Sequence, residues 1–185
     1  MKINSLPTRF FLLTILFVLT QISINAQFRV SIGGTVGGGF LKGNSPSVGA
    51  VTATFFLETS TVLFSEVYPR LGVIYARDFN AIVPNVDKPY FPYVQGVTFK
   101  GVTTQYFDGG YFLEEGVGLL ALNDRTFSDT DNWNYGIVLS INGGFDLRGF
   151  NLDGFKLGGG AEYGITFTNA LPQYSSLHVF VQYSF

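Results

Sequence analysis

The 185-residue sequence has no cysteine and only one histidine, and just 13% of its residues are charged. Without cysteine the chain cannot form disulfides, thiolate metal sites or a lipid-modified cysteine at a processed N-terminus. The formal net charge of −2 lacks the basic footprint that nucleic-acid binding needs, so no nucleic-acid partner is expected. No phosphate-cradling loop, dinucleotide-binding signature or metal-ligand cluster stands out, so no cofactor or metal is expected.

The first 26 residues predict a cleaved signal peptide. Lys2 and Arg9 give a positively charged start, residues 10–20 form an apolar run, and Ala26 precedes the expected cleavage point, although the exact bond stays open. The run is shorter than the roughly 20 residues of a membrane-spanning helix. The remainder, residues 27–185, has the size of one domain.

What the sequence has in abundance is aromatic residues and glycine, with 20 Phe, 10 Tyr and 23 Gly. Apolar and polar residues alternate along it with a period of two, which indicates β-strands with one apolar face. The C-terminal segment shows this clearly, since Leu177, Val179 and Val181 alternate with His178 and Gln182. We expect eight strands at about 28–41, 50–64, 70–79, 93–106, 110–122, 135–147, 155–167 and 177–185.

Two kinds of barrel bury such strands, a soluble barrel with the apolar face inside and a membrane barrel with it outside. The polar face is mostly glycine with a few long charged side chains, which suits a narrow lumen better than a water-exposed sheet. Charges on that face must pair when they are buried. The expected lumenal charge network comprises Arg29, Glu58, Arg70, Asp146, Arg148, Lys156, Glu162 and His178.

Aromatic residues near the strand ends are expected to form the interface girdles of a membrane barrel. These are Phe28, Phe40, Tyr75, Phe79, Tyr93, Tyr106, Tyr135, Phe155, Phe167, Tyr183 and Phe185. In the fifth strand the orientation stays open, because Glu114 and Glu115 are adjacent and one must face outward unless a bulge intervenes.

The predicted connections differ in length. Those after the first, third, fifth and seventh strands are expected to be longer than those after the second, fourth and sixth. With a periplasmic N-terminus this places the long loops outside the cell, as in outer-membrane barrels.

The whole region after the signal peptide resembles the small eight-stranded bacterial outer-membrane proteins, of the type of the OmpA transmembrane domain and OmpX. The texture of glycine and aromatics is similar to that of barrels from Bacteroidetes. The resemblance implies an eight-stranded antiparallel up-and-down transmembrane β-barrel in the cell outer membrane of a Gram-negative bacterium. It also implies an assembly signal at Val181, Tyr183 and Phe185, read by the outer-membrane assembly machinery. No peptidoglycan-binding domain or plug is expected.

Catalysis has one candidate, the set Ser176, His178 and Glu162, which are the side-chain types of an acyl hydrolase. Some lipid A deacylases are eight-stranded barrels with such a set, but there the order along the chain differs and the site faces lipid. A structural hydrogen bond between Glu162 and His178 inside the lumen is therefore the preferred interpretation.

The loops offer weaker signals. Prolines and aromatics at 84–93 form a rigid segment that either docks a protein partner or joins the girdle. Asp124, Asp129 and Asp131 either share a cation with lipopolysaccharide phosphates or form a solvated acidic loop, which we favour because the calcium-loop pattern is missing.

Taken together, the sequence predicts a non-enzymatic outer-membrane barrel with a structural or interaction role. That role is membrane integrity, binding through surface loops, or membership of an envelope complex, in contact with outer-membrane lipid and lipopolysaccharide. The alternatives are a narrow channel or small hydrophobic-solute transporter, and then a lipid A-type acyl hydrolase.

Overall fold

Alternation of side chains along the chain produces strands in which one face meets the interior of the fold and the other faces outward. The structure, a computed structural model, describes residues 29–60, 66–84, 86–149, 151, 153–168 and 171–185. The expected signal peptide and the girdle residue Phe28 lie outside the described residues.

Eight strands form one closed antiparallel barrel, in which each strand pairs with its neighbours in sequence and the last pairs with the first. The strands are β1 (Val30–Lys42), β2 (Val48–Thr59), β3 (Tyr68–Asp78), β4 (Tyr93–Tyr106), β5 (Tyr111–Arg125), β6 (Asn132–Asp146), β7 (Gly154–Thr166) and β8 (Gln173–Ser184). The predicted up-and-down barrel is confirmed. A short 3-10 turn, Phe79–Ala81, follows β3, and no described segment is a helix long and apolar enough to cross a membrane.

Strand pairing fixes the tilt of the barrel. A row of paired residues that starts at Ile32 passes through every strand and returns to β1 at Lys42, ten residues further along. Such a shift tilts the strands by about 40° to the barrel axis. An eight-stranded barrel has an interior just wide enough to be filled by side chains.

The barrel has two rims. At the proximal rim β1 starts and β8 ends, and the connections there are 60–67, 107–110 and 147–153. At the distal rim the connections are 43–47, 79–92, 126–131 and 167–172. In the tightest proximal turn Gly109 and Gly110 have φ of 82° and 80°, a conformation that side chains with a Cβ rarely adopt.

The predicted difference in loop length is wrong. The proximal connection 60–67 is longer than the distal connection 43–47, and only 79–92 is distinctly long. The apolar alternation predicted strands that end too early at the distal rim. Backbone pairing between the strands continues there through polar residues, as between Asp124 and Asn132. Backbone pairing does not require an apolar side chain, so a strand outlasts its hydrophobic pattern.

The orientation of the fifth strand, left open by its sequence, is now defined. Glu114 faces the lumen and is 1% exposed, whereas Glu115 is exposed on the outer wall. Pairing is continuous through both residues, opposite Thr104 and Thr103, so no bulge intervenes.

The outer wall is apolar between two belts of aromatic rings. On β6 the exposed rings of Phe145 and Tyr135 mark these belts. They are ten residues apart, which at about 3.3 Å per residue and a tilt of about 40° spans about 25 Å, the height of an outer-membrane apolar band. Tyr106 departs from the predicted girdle: it shares the lumenal face of β4 with Val102, and its hydroxyl accepts a hydrogen bond from Arg148 at the proximal mouth.

Glycine makes room for the large side chains inside this narrow barrel. Gly37 pairs with His178, and a Cβ at Gly37 would overlap the Leu177 carbonyl oxygen and lie 2.6 Å from the His178 Cα. Gly118 likewise pairs with Lys100, and a Cβ at Gly118 would lie 2.6 Å from the Lys100 Cα. The glycines of the polar face are therefore required by close approach of neighbouring strands.

Candidate functional site

Among the described residues, most of the buried charged side chains lie in the lumen, in two polar layers below an apolar one. In the proximal layer, Arg70 on β3 is 1% exposed and donates hydrogen bonds to the carboxylates of Glu58 and Glu114. Lys156 on β7 donates to the other oxygen of Glu114 at 3.2 Å, and Gln182 on β8 donates to Glu58 at 2.9 Å. This proximal ion-pair layer links five strands across the bore.

Aromatic rings enclose the cations of that layer. The Arg70 guanidinium carbon lies 4.3 Å from the centre of the Phe56 ring and 5.7 Å from that of Phe180. The Lys156 ammonium lies 5.1 Å from the Phe112 ring centre. Cations are attracted to aromatic faces, so these contacts compensate part of the cost of taking the charges out of water.

The proximal mouth contains a polar cavity of about 190 Å³. Its lining includes Arg29, Lys156, Tyr106 and Arg148. Arg148, in the 147–153 connection, makes a bidentate ion pair with Asp146, and these hydrogen bonds raise the pKa of the Arg148 guanidinium above its ordinary value. The mouth is thus a polar cavity, while Arg70 and Glu114 in the layer above it are buried.

The central layer is built around Glu162 on β7. Lys100 on β4 pairs with one of its carboxylate oxygens at 2.5 Å, and the hydroxyl of Tyr174 donates to the other at 2.7 Å. All three side chains are buried. The carboxylate is therefore neutralised by a lysine from across the bore.

The histidine lies in the same layer, on the predicted lumenal face of β8, but its partners differ from the expected one. Pairing of β7 with β8 sets Ser176 opposite Glu162, and Gly160 opposite His178. The ring nitrogens of His178 lie 3.2 Å from the Ser176 hydroxyl and 2.9 Å from the side-chain oxygen of Asn142. The expected hydrogen bond between Glu162 and His178 is wrong, because the small residue opposite the ring lets it reach β6 instead.

Above these layers an apolar layer closes the bore. Its side chains come from every strand but β7, and each is at most 3% exposed. They are Leu41, Ala50, Ile74, Ala76, Val94, Leu120, Leu122, Val138 and Tyr174. The Tyr174 hydroxyl points down to Glu162, and at the lower edge of the layer the buried hydroxyls of Thr52 and Ser176 hydrogen-bond to each other.

A polar cap covers the apolar layer at the distal rim. Asp124 is fully buried and accepts hydrogen bonds from Thr126 and from Asn44. Asp131 instead pairs with Arg125, so the carboxylates that the sequence grouped do not converge. The described part of the chain contains no cluster of three metal-ligating side chains.

The distal connection 79–92 is fastened to the barrel. The Tyr90 hydroxyl donates to the Arg125 carbonyl oxygen at 2.7 Å, and partial burial raises the pKa of this phenol. Lys88 pairs with Asp78 at 3.4 Å. Phe79 and Ile82 remain exposed, so a fixed loop presents apolar side chains at this rim.

The residues of the expected charge network thus fall into separate groups. Glu58, Arg70 and Lys156 meet in the proximal layer, Asp146 and Arg148 pair at the mouth, and Glu162 and His178 lie in the central layer. The structure places Arg29 at the mouth, where its backbone N–H donates to Ser60.

Sequence reasoning missed Lys100, Glu114 and Gln182 as members of these layers. Lys100 could have been found, because it shares the parity of Val94 and Val102 on β4. Glu114 could not have been found, because the sequence leaves open whether Glu114 or Glu115 faces the lumen.

Of the expected assembly-signal residues, Val181 and Tyr183 lie on the outer face of β8, and Phe185 directly follows the strand. Val181 and Phe185 are exposed, and the Tyr183 ring packs edge-on against the rings of Phe155 and Phe185. Beside them, small outward residues such as Gly34 and Ala53 leave a depression of about 690 Å³ in the apolar wall.

No family model matches the chain, and no curated protein matches it in sequence. Solved structures match its fold. Neisserial surface protein A superposes with a TM-score of 0.63 at 10% identity, covering 86% of this chain and 98% of that one. The N-terminal β-barrel domain of Pseudomonas aeruginosa OprF gives a TM-score of 0.44 at 11% identity, with 85% and 97% covered.

Ail, the attachment invasion locus protein of Yersinia pestis, gives a TM-score of 0.48 at 9% identity, covering 88% of this chain and all of that one. At such identities the likeness to Neisserial surface protein A concerns the fold alone. The chain has the fold of a small eight-stranded outer-membrane barrel.

Proposed function

We propose that this protein is a non-enzymatic β-barrel of a Gram-negative outer membrane, with its polar interior serving as a structural core. Its role is to maintain the envelope or to contact partners at the distal rim. Support for the membrane location comes from the wall, where exposed apolar side chains form a band about 25 Å high between aromatic belts. A soluble barrel would direct this face inward.

The observation that carries the non-transport part of the proposal is the apolar layer across the bore. Leu41, Val94 and Leu122 are each fully buried within it. An ion crossing this layer would lose most of its hydration among mainly apolar side chains, which costs several kcal/mol or more. A permanent ion path is therefore disfavoured.

The hydrolase alternative is disfavoured by access. Ser176 and His178 are 5% and 9% exposed, and both lie inside the bore between the ion pairs and the apolar layer. Glu162, the carboxylate such a set would need, is engaged by Lys100 and Tyr174. The Ser176 hydroxyl points into the lumen, where Thr52 and His178 are its partners, so it is turned away from a lipid chain on the outer wall.

An interaction role is favoured at the distal rim. The 79–92 connection is held in place by Tyr90 and Lys88 while Phe79 and Ile82 stay exposed. A loop that is already ordered loses little conformational entropy on binding. Protein partners of this protein are therefore expected at the distal loops.

The membrane location is tested by fractionation and by gel mobility of unheated and heated samples. We expect the protein in the outer-membrane fraction, with a heat-dependent shift, because a closed barrel resists detergent until it is heated. Recovery as a soluble periplasmic protein would overturn the proposal.

The closed lumen and the absence of catalysis need separate measurements. Planar bilayers containing the purified protein should stay silent, whereas regular conductance steps would support the channel instead. Lipid A mass profiles should be the same with the wild-type protein and with His178→Ala. Loss of an acyl chain only with the wild type would establish the hydrolase.

A further inference from the structure

Outward-facing basic side chains occur at the distal rim. Lys42 is the last residue of β1, Arg77 the penultimate residue of β3 and Arg125 the last residue of β5. All three residues lie on the outward-facing side of their strands. Together we call them the distal basic arc.

The proximal rim is different. The described residues that face outward at the strand ends there carry no charge. They are Val30, Thr59, Pro69, Gln105, Tyr111, Phe145, Phe155 and Tyr183. The two arginines of that rim, Arg29 and Arg148, line the mouth of the lumen.

Within the arc, two arginines flank one tyrosine. Pairing sets Arg77 directly beside Tyr93, and Tyr93 directly beside Arg125, on the same face of the sheet. Neighbouring strands lie about 4.8 Å apart, so the two arginine Cα atoms are about 10 Å apart. Two side chains of this length can reach one group held over the tyrosine.

Both guanidinium groups are partly fixed. Arg77 lies 6.0 Å from the centre of the Phe91 ring and makes no ion pair with a described residue. Arg125 donates to Asn123 and pairs with Asp131, which is 59% exposed. An exposed pair of this kind contributes about 0–1 kcal/mol, so a stronger anion can replace the carboxylate.

The arc lies at the height where a membrane presents its headgroups. Tyr93 belongs to the distal aromatic belt, and the exposed rings of Phe40 and Tyr135 lie in the same belt. Aromatic belts mark the boundary between acyl chains and headgroups. Cations that point outward at this level meet lipid phosphate.

We propose that the distal basic arc binds phosphate groups of anionic lipids in the leaflet at the distal rim, with the main site between Arg77 and Arg125. Guanidinium groups match phosphate oxygens in charge and in paired hydrogen-bond geometry. Lys42, two strands from Arg77, extends the same attraction around the barrel. The inference rests on the proposed membrane location and adds a lipid class and a side of the membrane to it.

The test uses the full barrel in nanodiscs of phosphatidylcholine with or without phosphatidic acid, whose headgroup is a phosphate monoester. Native mass spectrometry counts the lipids retained after release. Wild-type protein should retain phosphatidic acid over phosphatidylcholine. Each of Arg77→Gln and Arg125→Gln should reduce this preference about five-fold, and the double variant about 25-fold.

Lys88→Gln is the matched control, because it removes a distal positive charge that lies outside the arc. It should keep the preference. Equal retention by the wild type and the double variant would overturn the proposal, as would an equal loss with Lys88→Gln. Release of the lipid by the same concentration of inorganic phosphate would show that free phosphate, not lipid, is the ligand.

Failure of this inference is distinguishable from failure of the membrane location. The double variant should still fractionate with outer membranes and keep its heat-dependent gel shift, since neither arginine lies in the lumen. A double variant that lost both the outer-membrane fractionation and the gel shift would be misfolded. Arg77→Lys, which keeps the positive charge, would then separate loss of lipid binding from misfolding.

Discussion

Replacing Glu114 by glutamine is the sharpest test of the lumenal ion pairs. Glu114 is 1% exposed and accepts hydrogen bonds from Arg70 at 2.8 Å and from Lys156 at 3.2 Å. The substitution removes the charge with almost no change in volume. Arg70 keeps Glu58, but Lys156 loses its only ion-pair partner among the described residues.

The expected cost follows from that asymmetry. Breaking a buried ion pair by removing one partner costs about 3–5 kcal/mol, because the remaining charge is left unpaired. The Phe112 ring beside the Lys156 ammonium offsets part of it, by about 1 kcal/mol. We therefore expect Glu114→Gln to lower the free energy of unfolding by about 3 kcal/mol.

The neighbouring residue provides the control. Glu115 faces outward next to Glu114, so Glu115→Gln removes the same charge from the wall instead of the lumen. It should change the free energy of unfolding by less than about 1 kcal/mol, or raise it, because a lipid-facing carboxylate is itself unfavourable. Urea unfolding in lipid vesicles, followed by fluorescence of the single tryptophan, Trp133, measures both variants.

A double variant isolates the pair. Lys156→Met removes the orphaned charge, so Glu114→Gln combined with Lys156→Met should be less destabilised than the sum of the two single variants, by at least about 1 kcal/mol. Equal effects of the changes at Glu114 and Glu115, or strict additivity with Lys156→Met, would refute the described lumenal pairing.

Two further predictions concern packing and the distal loop. Gly37→Ala should destabilise the barrel by about 3 kcal/mol, because the added Cβ would overlap the backbone of β8. Gly38→Ala on the outer face should be near neutral, because its Cβ would lie 3.7 Å from the nearest atom. Equal unfolding midpoints of the two variants would contradict this. Tyr90→Phe removes the hydrogen bond to the Arg125 carbonyl oxygen, which contributes about 1 kcal/mol. The variant should be cleaved faster within 79–92 by a protease and should keep the heat-dependent gel shift. Unchanged cleavage would show that other contacts hold the loop.

The number and sequence of strands could be read from the chain because a period of two reports side-chain direction directly. The same alternation placed Arg70 and Lys156 on the inner face and Leu177 and Val179 on the outer face. It failed for connection lengths, where paired but polar residues such as Asp124 continue a strand beyond its apolar pattern.

Partner choice inside the lumen could not be read from the chain. Which residues meet across the bore depends on register and on the ten-residue shift around the barrel. That shift brings Lys100 to Glu162, which are three strands apart. The sequence placed His178 on the correct face but predicted the wrong partner. In the actual register His178 pairs with Gly160, and Glu162, the next lumenal residue along β7, pairs with Ser176 instead.

The central claim is that the wall faces lipid while the bore is closed, and the chain's lack of cysteine makes it directly measurable. Single cysteines at Val51, Ala53 and Phe55, on the outer face of β2, can each carry a fluorescent label in vesicles with bromine-labelled acyl chains, whereas Thr52 and Thr54 face the packed lumen. We expect strong quenching at the three outer positions, and we expect cysteines at Thr52 and Thr54 to resist labelling in the folded barrel. Equal labelling of all five positions, or quenching only by a water-soluble agent at the outer positions, would contradict a membrane-spanning barrel with a closed bore.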